Sequence, residues 1–261
     1  LNSEHGISYT EFSYQILQGY DFLELFRRYD CVLQTGGSDQ WGNLTSGTDL
    51  IHKVEGKSAH ILATPLITNS DGKKFGKSEG NAVWLDAEFT SPYAFYQFWL
   101  NVEDADVVDR LKVFTFLSKA EIEDLAAQTI AAPHLRAAQK RLAFEVTALV
   151  HSAEDAQAAI DASAALFGQG ELTALDASTL RSALSELPNV QAERGTAIAT
   201  LLVETGLVAS ISAGRRAIAE GGVYLNNVKI EDEAAELRDF ICDEFAVLRR
   251  GKKTLAGIFR K

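Results

Sequence analysis

Three polar side chains recur at helical spacing near the start of this 261-residue chain. Tyr14, Gln18 and Asp21 stand at positions i, i+4 and i+7, so a helix would align a phenol, an amide and a carboxylate on one face. Such donors and acceptors can hold a small polar molecule. A stripe of this composition can equally be the solvated face of an amphipathic helix, and the spacing alone leaves both interpretations open.

A second feature is the glycine-rich segment 36–43, which reads Gly-Gly-Ser-Asp-Gln-Trp-Gly-Asn. The apolar run 31–35 before it is typical of a buried strand, and a helix is predicted after it at about 44–53. At the carboxyl end of a strand in a parallel sheet, paired glycines permit the close approach of a nucleotide. A simple turn would have the same composition.

The third feature is the polar segment 69–81, which contains the run Lys74, Phe75, Gly76, Lys77 and Ser78. Its Asp-Gly pair favours a tight turn, and its further glycines predict a mobile loop. Ammonium groups on such a loop can meet negative charge as it develops on a substrate. Without such a substrate, a lysine-rich turn is an ordinary solvated loop.

Basic residues are concentrated at the other end of the chain. Arg215 and Arg216 are adjacent on a predicted helix at 210–220. Residues 246–261 include no Asp or Glu and carry six basic side chains: Arg249, Arg250, Lys252, Lys253, Arg260 and Lys261. The whole chain has a net charge of -11, so we expect any RNA binding to be local to this end. We interpret 246–261 as a basic tail that extends the surface of Arg215 and Arg216.

The elements that must position these features predict an α/β region, then an α region, then an α+β region. The first has a helix at about 10–28 and strands at 31–35 and 60–64. Alanine-rich helical segments near 93–101, 103–117, 119–130, 135–151 and 153–167 predict a bundle. After a predicted linker at 188–195, two short helices (196–205 and 210–220) precede strands at 223–225 and 228–230, which Asn226-Asn227 join.

The composition limits the remaining possibilities. Hydrophobic residues make up 46% of the chain and charged residues 23%, which suits globular domains with real cores. No apolar run approaches the roughly 18 residues of a membrane span, so we expect a cytoplasmic protein without a membrane partner. Cys31, Cys242 and the five histidines lack metal-ligand spacing, and no tightly bound metal is expected. Methionine is absent even at position 1, which suggests a fragment or a processed product.

Residues 9–21 and 36–43 resemble, nearly residue for residue, the corresponding segments of the bacterial-type tyrosyl-tRNA synthetases. Residues 74–78 resemble the lysine-rich signature loop of class I aminoacyl-tRNA synthetases, and residues 206–226 resemble an S4-type RNA-binding domain. The resemblance covers essentially the whole chain. It implies four parts: the C-terminal half of a Rossmann-like catalytic domain (1–92), a helical anticodon-binding domain (93–187), a linker (188–196) and an S4-like RNA-binding domain (197–261).

The resemblance also implies an activity, the ATP-dependent conversion of L-tyrosine to tyrosyl-adenylate and its transfer to tRNA(Tyr), with Mg²⁺ accompanying ATP. The residues that match Tyr14 and Gln18 hold the substrate ammonium group, and the one that matches Asp21 accepts a hydrogen bond from the phenol. A buried acceptor left without that phenol would disfavour phenylalanine. Gly37 and Asp39 are implied to contact the adenosine ribose. Gln40 is expected beside the tyrosyl group.

The same resemblance implies that the lysine-rich loop stabilises the transition state of tyrosine activation. Lys74 and Lys77, with help from Ser78, are expected to stabilise the negative charge that builds on departing pyrophosphate, and Lys77 also to contact ATP. RNA binding is expected from a larger set of residues: Arg215, Arg216, Arg249, Arg250, Lys252 and Lys253.

The sequence departs from the family in one respect, because no motif of the His-Ile-Gly-His type occurs in it. We therefore expect part of an active tyrosine-tRNA ligase that is inactive in isolation. One alternative is a truncated, non-catalytic paralogue that binds RNA, which the retained tyrosine-site residues disfavour. Another is a different class I enzyme, with tryptophan the nearest substrate, which Asp21 and the S4-like end disfavour. Family members are homodimers whose interface lies largely upstream of Leu1, so dimerisation is not predicted for this chain.

Overall fold

A computed structural model describes residues 8–68, 75, 83–251 and 254–261, apart from the side chain of Glu11. The chain divides into two compact units, Leu1–Asn81 and Ala82–Lys261. Among the described residues, no helix is long and apolar enough to cross a membrane.

In the described residues of the first unit, a helix is followed by a β-α-β motif: α1 (Tyr9–Tyr29), β1 (Leu33–Gly37), α2 (Trp41–Glu55) and β2 (His60–Thr64). The strands are parallel, with Leu33 opposite His60 and Gly37 opposite Thr64. A parallel pair needs a crossover connection, which α2 supplies. The predicted helix at 10–28 and strand at 60–64 are confirmed. β1 lies two residues later than the predicted 31–35, and α2 starts earlier than predicted.

Helices α1 and α2 pack closely because two glycines lie at their contact. A Cβ atom at Gly19 would lie 2.9 Å from the Oγ of Ser46, and one at Gly47 would lie 2.8 Å from a ring carbon of Phe22. The buried side chains of this core come from both helices: Phe22, Leu23, Phe26 and Ile51. The close approach fixes which face of α1 turns away from α2.

The second unit begins with six helices: α3 (Pro92–Leu100), α4 (Val107–Phe114), α5 (Lys119–Ala131), α6 (Ala137–Val150), α7 (Ala153–Leu166) and α8 (Ala177–Ser185). The predicted start of α3 is confirmed, since Ser91 accepts a hydrogen bond from the Ala94 amide and Pro92 occupies the first turn. α3 packs against α6, α7 and α8. The predicted helical bundle is therefore present, with the added helix α8.

The rest of the second unit combines two helices, α9 (Ile198–Glu204) and α10 (Ile211–Ala219), with one sheet. Among the described residues its strands are β3 (Asn189–Ala192), β4 (Val223–Leu225), β5 (Val228–Lys229), β6 (Phe245–Arg250) and β7 (Thr254–Arg260), in the order β3-β7-β6-β4-β5. β3 runs parallel to β7, and the other pairs are antiparallel. Asn226 and Asn227 have φ values of 50° and 66°, which confirms the predicted hairpin turn between β4 and β5.

Both faces of this sheet are covered. On one face Ala246, Leu248 and Ile258 pack with Leu201 of α9 and Ile218 of α10 in a single buried cluster. α8 packs against β6 and β7, and a Cβ atom at Gly257 would lie 3.0 Å from the Cβ of Leu184. Side chains alternate along a strand, so Phe245 and Val247 of β6, which are also buried, point to the face that α8 covers.

The predicted linker at 188–196 is wrong, because four of its residues form a strand of the sheet. Asn189 to Ala192 form β3, and the Gly257 amide donates to the Pro188 oxygen at 2.9 Å. The Gly195 amide also donates to the Leu237 oxygen at 2.8 Å. Backbone hydrogen bonding thus fixes a segment whose Pro188 and Gly195 are typical of a flexible connection.

The interpretation of 246–261 as a basic tail is also wrong. β6 is the central strand of the sheet, β7 is its antiparallel neighbour, and each strand buries four consecutive residues. Arg249 and Arg250 lie at the end of β6, and Arg260 lies at the end of β7. Lys252 and Lys253 fall outside the described residues.

Candidate functional site

The predicted polar stripe of α1 exists and borders the face that packs on α2. Tyr14 and Asp21 are exposed, Tyr14 by 58%, and Gln18 is half-buried. No hydrogen bond joins these three side chains to another described residue. The stripe therefore presents a phenol, an amide and a carboxylate that make no hydrogen bond to α1 or α2.

A side-chain contact fixes α1 against the start of α2. The Nε2 atom of Gln15 donates to the backbone oxygen of Gly42 at 3.0 Å, and the Oγ atom of Ser46 donates to the oxygen of Gln15 at 3.1 Å. Gln15 lies between Tyr14 and Gln18 in the chain. The structure thereby brings the upper part of the stripe beside the glycine-rich loop.

At the far end of α1 an ion-pair network holds the same two helices together. The guanidinium of Arg27 donates to Glu55 of α2 at 2.7 Å and to Glu24 at 3.0 Å. The hydrogen bond from Arg27, with that from Arg28, holds the pKa of Glu24 below its usual value. α1 is thus held to α2 at both ends, which fixes the orientation of the stripe relative to α2.

The glycine-rich loop leaves the carboxyl end of β1, as the sequence predicts. Gly37 is the last residue of β1, opposite Thr64 at the end of β2, and a single 3-10 turn (Ser38–Gln40) follows. A Cβ atom at Gly37 would lie 2.8 Å from the Oδ1 atom of Asp39 and 3.0 Å from Leu66. Any larger residue at Gly37 would displace the Asp39 carboxylate.

Gln40 is oriented by its own helix. Its Oε1 atom accepts a hydrogen bond from the Nδ2 atom of Asn43 at 2.9 Å. No described residue accepts a hydrogen bond from its Nε2 atom, which leaves a donor at the edge of the sheet. Gly37, Asp39 and Gln40 thus lie together where parallel strands place ligands.

The lysine-rich loop is represented by one residue. Lys74, Lys77 and Ser78 lie outside the described residues. The amide of Phe75 donates to the oxygen of Ile67 at 2.9 Å, and Ile67 follows the end of β2 by three positions. Phe75 is therefore held at the same edge of the sheet as the glycine-rich loop.

Two glutamines of this unit have roles that the sequence interpretation does not include. Gln15 gives no local signal, because its partner Gly42 is distant in sequence. Gln34 is the second residue of β1, and its buried Oε1 atom has no hydrogen-bond partner among the described residues. A glutamine inside a short strand, two residues before paired glycines, is the signal that could have identified Gln34.

Arg215 and Arg216 both lie on the exposed face of α10, as predicted. The opposite face is buried, and a Cβ atom at Gly214 would lie 3.2 Å from the oxygen of Ala199 in α9. Close packing of Gly214 therefore turns both arginines to solvent. Two adjacent cations on a surface helix can contact a phosphate backbone.

Arg249 and Arg250 point to opposite faces of the sheet. The Nη1 atom of Arg250 donates to the oxygen of Leu207, in the loop before α10, at 2.7 Å. The guanidinium carbon of Arg249 lies 4.0 Å from the ring centre of Tyr224, its cross-strand partner. The structure therefore brings Arg250 toward the helix of Arg215 and Arg216, and turns Arg249 away from it.

Within the described residues, no group of three His, Cys, Asp or Glu side chains is placed to hold a metal ion.

Comparison with known families gives the class of protein. Residues 1–168 match the model of the tRNA synthetases class I (W and Y), and residues 179–257 match the Tyrosine–tRNA ligase SYY-like C-terminal domain. The first match spans more than half of the chain. The chain therefore belongs to the class I tRNA synthetases of the W and Y family.

Within that family, similar proteins are named as tyrosine-tRNA ligases. The chain is 63% identical to the Tyrosine–tRNA ligase of Leifsonia xyli subsp. xyli, over 99% of this chain and 59% of that protein. It is 60% identical to the Tyrosine–tRNA ligase of Streptomyces avermitilis, over 99% of this chain and 62% of that protein. These matches confirm the resemblance to tyrosyl-tRNA synthetases. The chain spans about three fifths of the length of these relatives.

A solved structure is also similar. A C-terminally truncated mitochondrial tyrosyl-tRNA synthetase of Aspergillus nidulans aligns with a TM-score of 0.51 and 32% sequence identity. The alignment covers 59% of this chain and 44% of that one. The described helices and sheets thus belong to a class I tRNA synthetase-like fold.

Proposed function

We propose that this chain is the portion of a tyrosine-tRNA ligase that holds tyrosine, supplies the lysine-rich loop and binds tRNA(Tyr). The complete protein joins the carboxylate of L-tyrosine to the α-phosphate of ATP, with release of pyrophosphate. It then passes the tyrosyl group to a terminal hydroxyl of tRNA(Tyr), with release of AMP. The observation that carries this proposal is the hydrogen bond from Gln15 to Gly42, which places the α1 stripe beside the Gly37–Gln40 loop.

The shape of the stripe suits an elongated amino acid. Tyr14 and Asp21 are seven residues apart, so they are separated by about 10 Å along the helix axis. A ligand that contacts both must carry polar groups at its two ends, as tyrosine does with its ammonium group and its phenol. In this proposal Tyr14 and Gln18 hold the ammonium group, and Asp21 accepts the phenolic hydrogen bond.

The nucleotide end of the site lies at the carboxyl edge of β1 and β2. Gly37 lets the adenosine ribose approach the backbone, and the Asp39 carboxylate accepts hydrogen bonds from ribose hydroxyls. Gln40 lies beside the tyrosyl group, with its Nε2 atom as the donor. Mg²⁺ enters with the phosphates of ATP, as part of the substrate.

Lys74, Lys77 and Ser78 act on the phosphates in this proposal. The hydrogen bond from Phe75 to Ile67 supports it, because it holds the one described residue of this segment at the edge of the sheet proposed for the nucleotide. Positive charge that meets pyrophosphate mainly in the transition state lowers the barrier, whereas equal binding of substrate and transition state does not. No side chain forms a covalent bond to the substrate.

For tRNA, we propose that the helices of 93–187 form an anticodon-binding domain and that the C-terminal module is S4-like. Arg215, Arg216 and Arg250 lie on or next to α10 and are proposed RNA contacts. Arg249, which was also predicted to bind RNA, points to the opposite face of the sheet and is not included in this proposal. Lys252 and Lys253 remain RNA contacts predicted from sequence alone. α8, the last helix of 93–187, also packs on the sheet of this module, so the two regions share it.

The test is amino-acid-dependent ATP–pyrophosphate exchange by the full-length protein, followed by charging of tRNA(Tyr). We expect tyrosine to support exchange and phenylalanine to be rejected. Exchange driven by tryptophan would contradict the proposed substrate. Binding of tRNA without exchange by any amino acid would favour a non-catalytic RNA-binding protein.

A further inference from the structure

The turn between β4 and β5 contacts the end of a helix far from it in sequence. The Nδ2 atom of Asn227 donates a hydrogen bond of 2.7 Å to the backbone oxygen of Ala165, in the last turn of α7. The same oxygen accepts the amide of Gly168 at 3.0 Å. The C-terminal module thus supplies a side-chain donor to a helix end that exposes unpaired carbonyl groups.

Arg249 lies at the same place. A Cβ atom at Gly168 would lie 3.6 Å from the Nη2 atom of Arg249 and 3.6 Å from the Oδ1 atom of Asn227. Gly168 itself has φ +78°, a conformation that favours glycine, so it closes α7 without a side chain that would crowd these two groups.

The charges are complementary. The last turn of α7 contains no basic residue of its own. The C-terminal end of a helix carries partial negative charge, which a nearby cation stabilises. Arg249 supplies that cation, while the ring of Tyr224 and the oxygen of Gly251, which accepts from its Nη1 atom at 3.0 Å, keep the guanidinium in place.

The two asparagines of the turn have different tasks. Asn226 acts inside the module, because its Oδ1 atom accepts from the Val247 amide at 2.8 Å and its Nδ2 atom donates to the Asp239 oxygen at 3.2 Å. Asn227 alone reaches across to α7. Changes at Asn227 can therefore be separated from damage to the hairpin.

We propose that Asn227 and Arg249 are positioning residues that lock the C-terminal RNA-binding module onto the end of α7. They set the orientation of Arg215 and Arg216 relative to the helical region without touching RNA. When two surfaces bind one ligand, a fixed relative orientation raises the effective concentration of the second contact. The expected effect on RNA binding rests on the proposed function. The fixed orientation of the module on α7 does not.

The first test is Asn227→Gly compared with Asn227→Asp. Asn-Gly is the favoured pair for a two-residue hairpin turn, so Asn227→Gly keeps the turn and removes only the donor. Asn227→Asp tolerates the positive φ, loses the donor and brings negative charge to the negative end of α7. We expect Asn227→Asp to loosen the contact between the C-terminal module and the end of α7 more than Asn227→Gly does.

The measurement is the distance between spin labels at Glu154 of α7 and Ser212 of α10, both exposed, with Cys31 and Cys242 replaced by serine. We expect one narrow distance distribution in the parent protein and broader ones in both variants of Asn227. If Asn227 served the hairpin alone, Asn227→Gly would leave the distribution unchanged. That result would overturn the proposal.

The second test uses the full-length protein and a tRNA(Tyr) transcript over a range of salt concentrations. Loss of the hydrogen bond from Asn227 to Ala165 should weaken the binding of tRNA(Tyr) by about fivefold. The slope of log affinity against log salt should stay the same, because no phosphate contact is lost. A flattened slope would identify Asn227 as an RNA contact and overturn the positioning role. If the parent protein does not bind tRNA(Tyr), the proposed function fails, and the spin-label distances still decide whether the module has a fixed orientation on α7.

Discussion

Gln15 of α1 and the backbone of Gly42 in α2 are joined by a hydrogen bond of 3.0 Å, beside the hydrogen bond from Ser46 to the Gln15 oxygen. The carboxamide reaches from the helix of the stripe to the loop of Asp39 and Gln40. The geometry of the proposed site therefore depends on a residue that need not touch the substrate.

The first prediction concerns this contact. In the full-length protein, Gln15→Ala should lower kcat/KM for tyrosine activation, because α1 and the loop lose their common anchor. The expected loss of stability is about 1 kcal/mol, as for a typical hydrogen bond. Gln128→Ala is the matched control, since the Gln128 side chain bonds only within its own helix, to Asp124. Equal exchange rates for the two variants would show that the contact does not position the site.

Asp21 should determine the selection of tyrosine over phenylalanine. In the full-length protein, Asp21→Ala should weaken tyrosine activation and relax the discrimination, because it removes the proposed acceptor for the phenol. Tyrosyl-tRNA synthetases as a class are already known to reject phenylalanine by a factor of about 10⁵, so the new element is the dependence of this factor on Asp21. Pyrophosphate exchange with both amino acids is the measurement. A variant with unchanged selectivity would refute the role of Asp21.

RNA binding should depend on salt through α10. Arg215→Ala combined with Arg216→Ala should weaken tRNA binding and flatten the plot of log affinity against log salt by about 0.7 to 0.9 per lost phosphate contact. Arg28→Ala is a control, because this exposed arginine is paired with Glu24 and lies outside the regions proposed to bind RNA. Tyrosine activation should remain nearly intact in the double variant. Lost activation with an unchanged slope would contradict the assignment of α10 to RNA.

Asp176 should make the stability of the second unit depend on acid pH. Hydrogen bonds from Ser178, and then from Thr179, lower the pKa of Asp176 from 3.8 to about 2. Because the folded-state pKa is the lower one, the stabilisation is present above pH 3.8 and is lost as the pH falls toward 2. Asp176→Ala should cost about 1 kcal/mol at neutral pH, as for the loss of a helix N-cap.

Urea unfolding of the parent and of Asp176→Ala at pH 7 and at pH 3 would check this. The difference between the two proteins should shrink at the lower pH. Asp161→Ala is a suitable control, since the Asp161 carboxylate accepts only from Gln157 within α7. A difference that grows as the pH falls would contradict the assigned cause.

Local signals explain what could be predicted about the fold from the sequence. The bounds of α1, β2 and α3 follow from caps, periodicity and turn residues that lie within each segment. β3 could not be predicted, because a short, partly polar strand between Pro188 and Gly195 has the composition of a linker. β6 and β7 were not predicted because the arginine and lysine residues that follow each short apolar run directed the interpretation to a basic tail.

The candidate site shows the same division. Tyr14, Gln18 and Asp21 share a helix, so spacing alone could align them. The contact of Gln15 with Gly42 and that of Asn227 with Ala165 join segments that are distant in the chain, and no local pattern carries them. Arg249 and Arg250 are adjacent in sequence and were predicted to act together, whereas the alternation of a strand sends them to opposite faces.

Helix α8 packs against α3 and α7 on one side and against β6 and β7 on the other. Two hydrophobic cores therefore share one element. A chimaera that transplants the C-terminal module must carry α8 with it, so a junction near Asp176 should give a well-folded graft and a junction near Gly195 should not. For the same reason the two regions cannot diverge independently in evolution, since a substitution in α8 that suits one core has to be tolerated by the other.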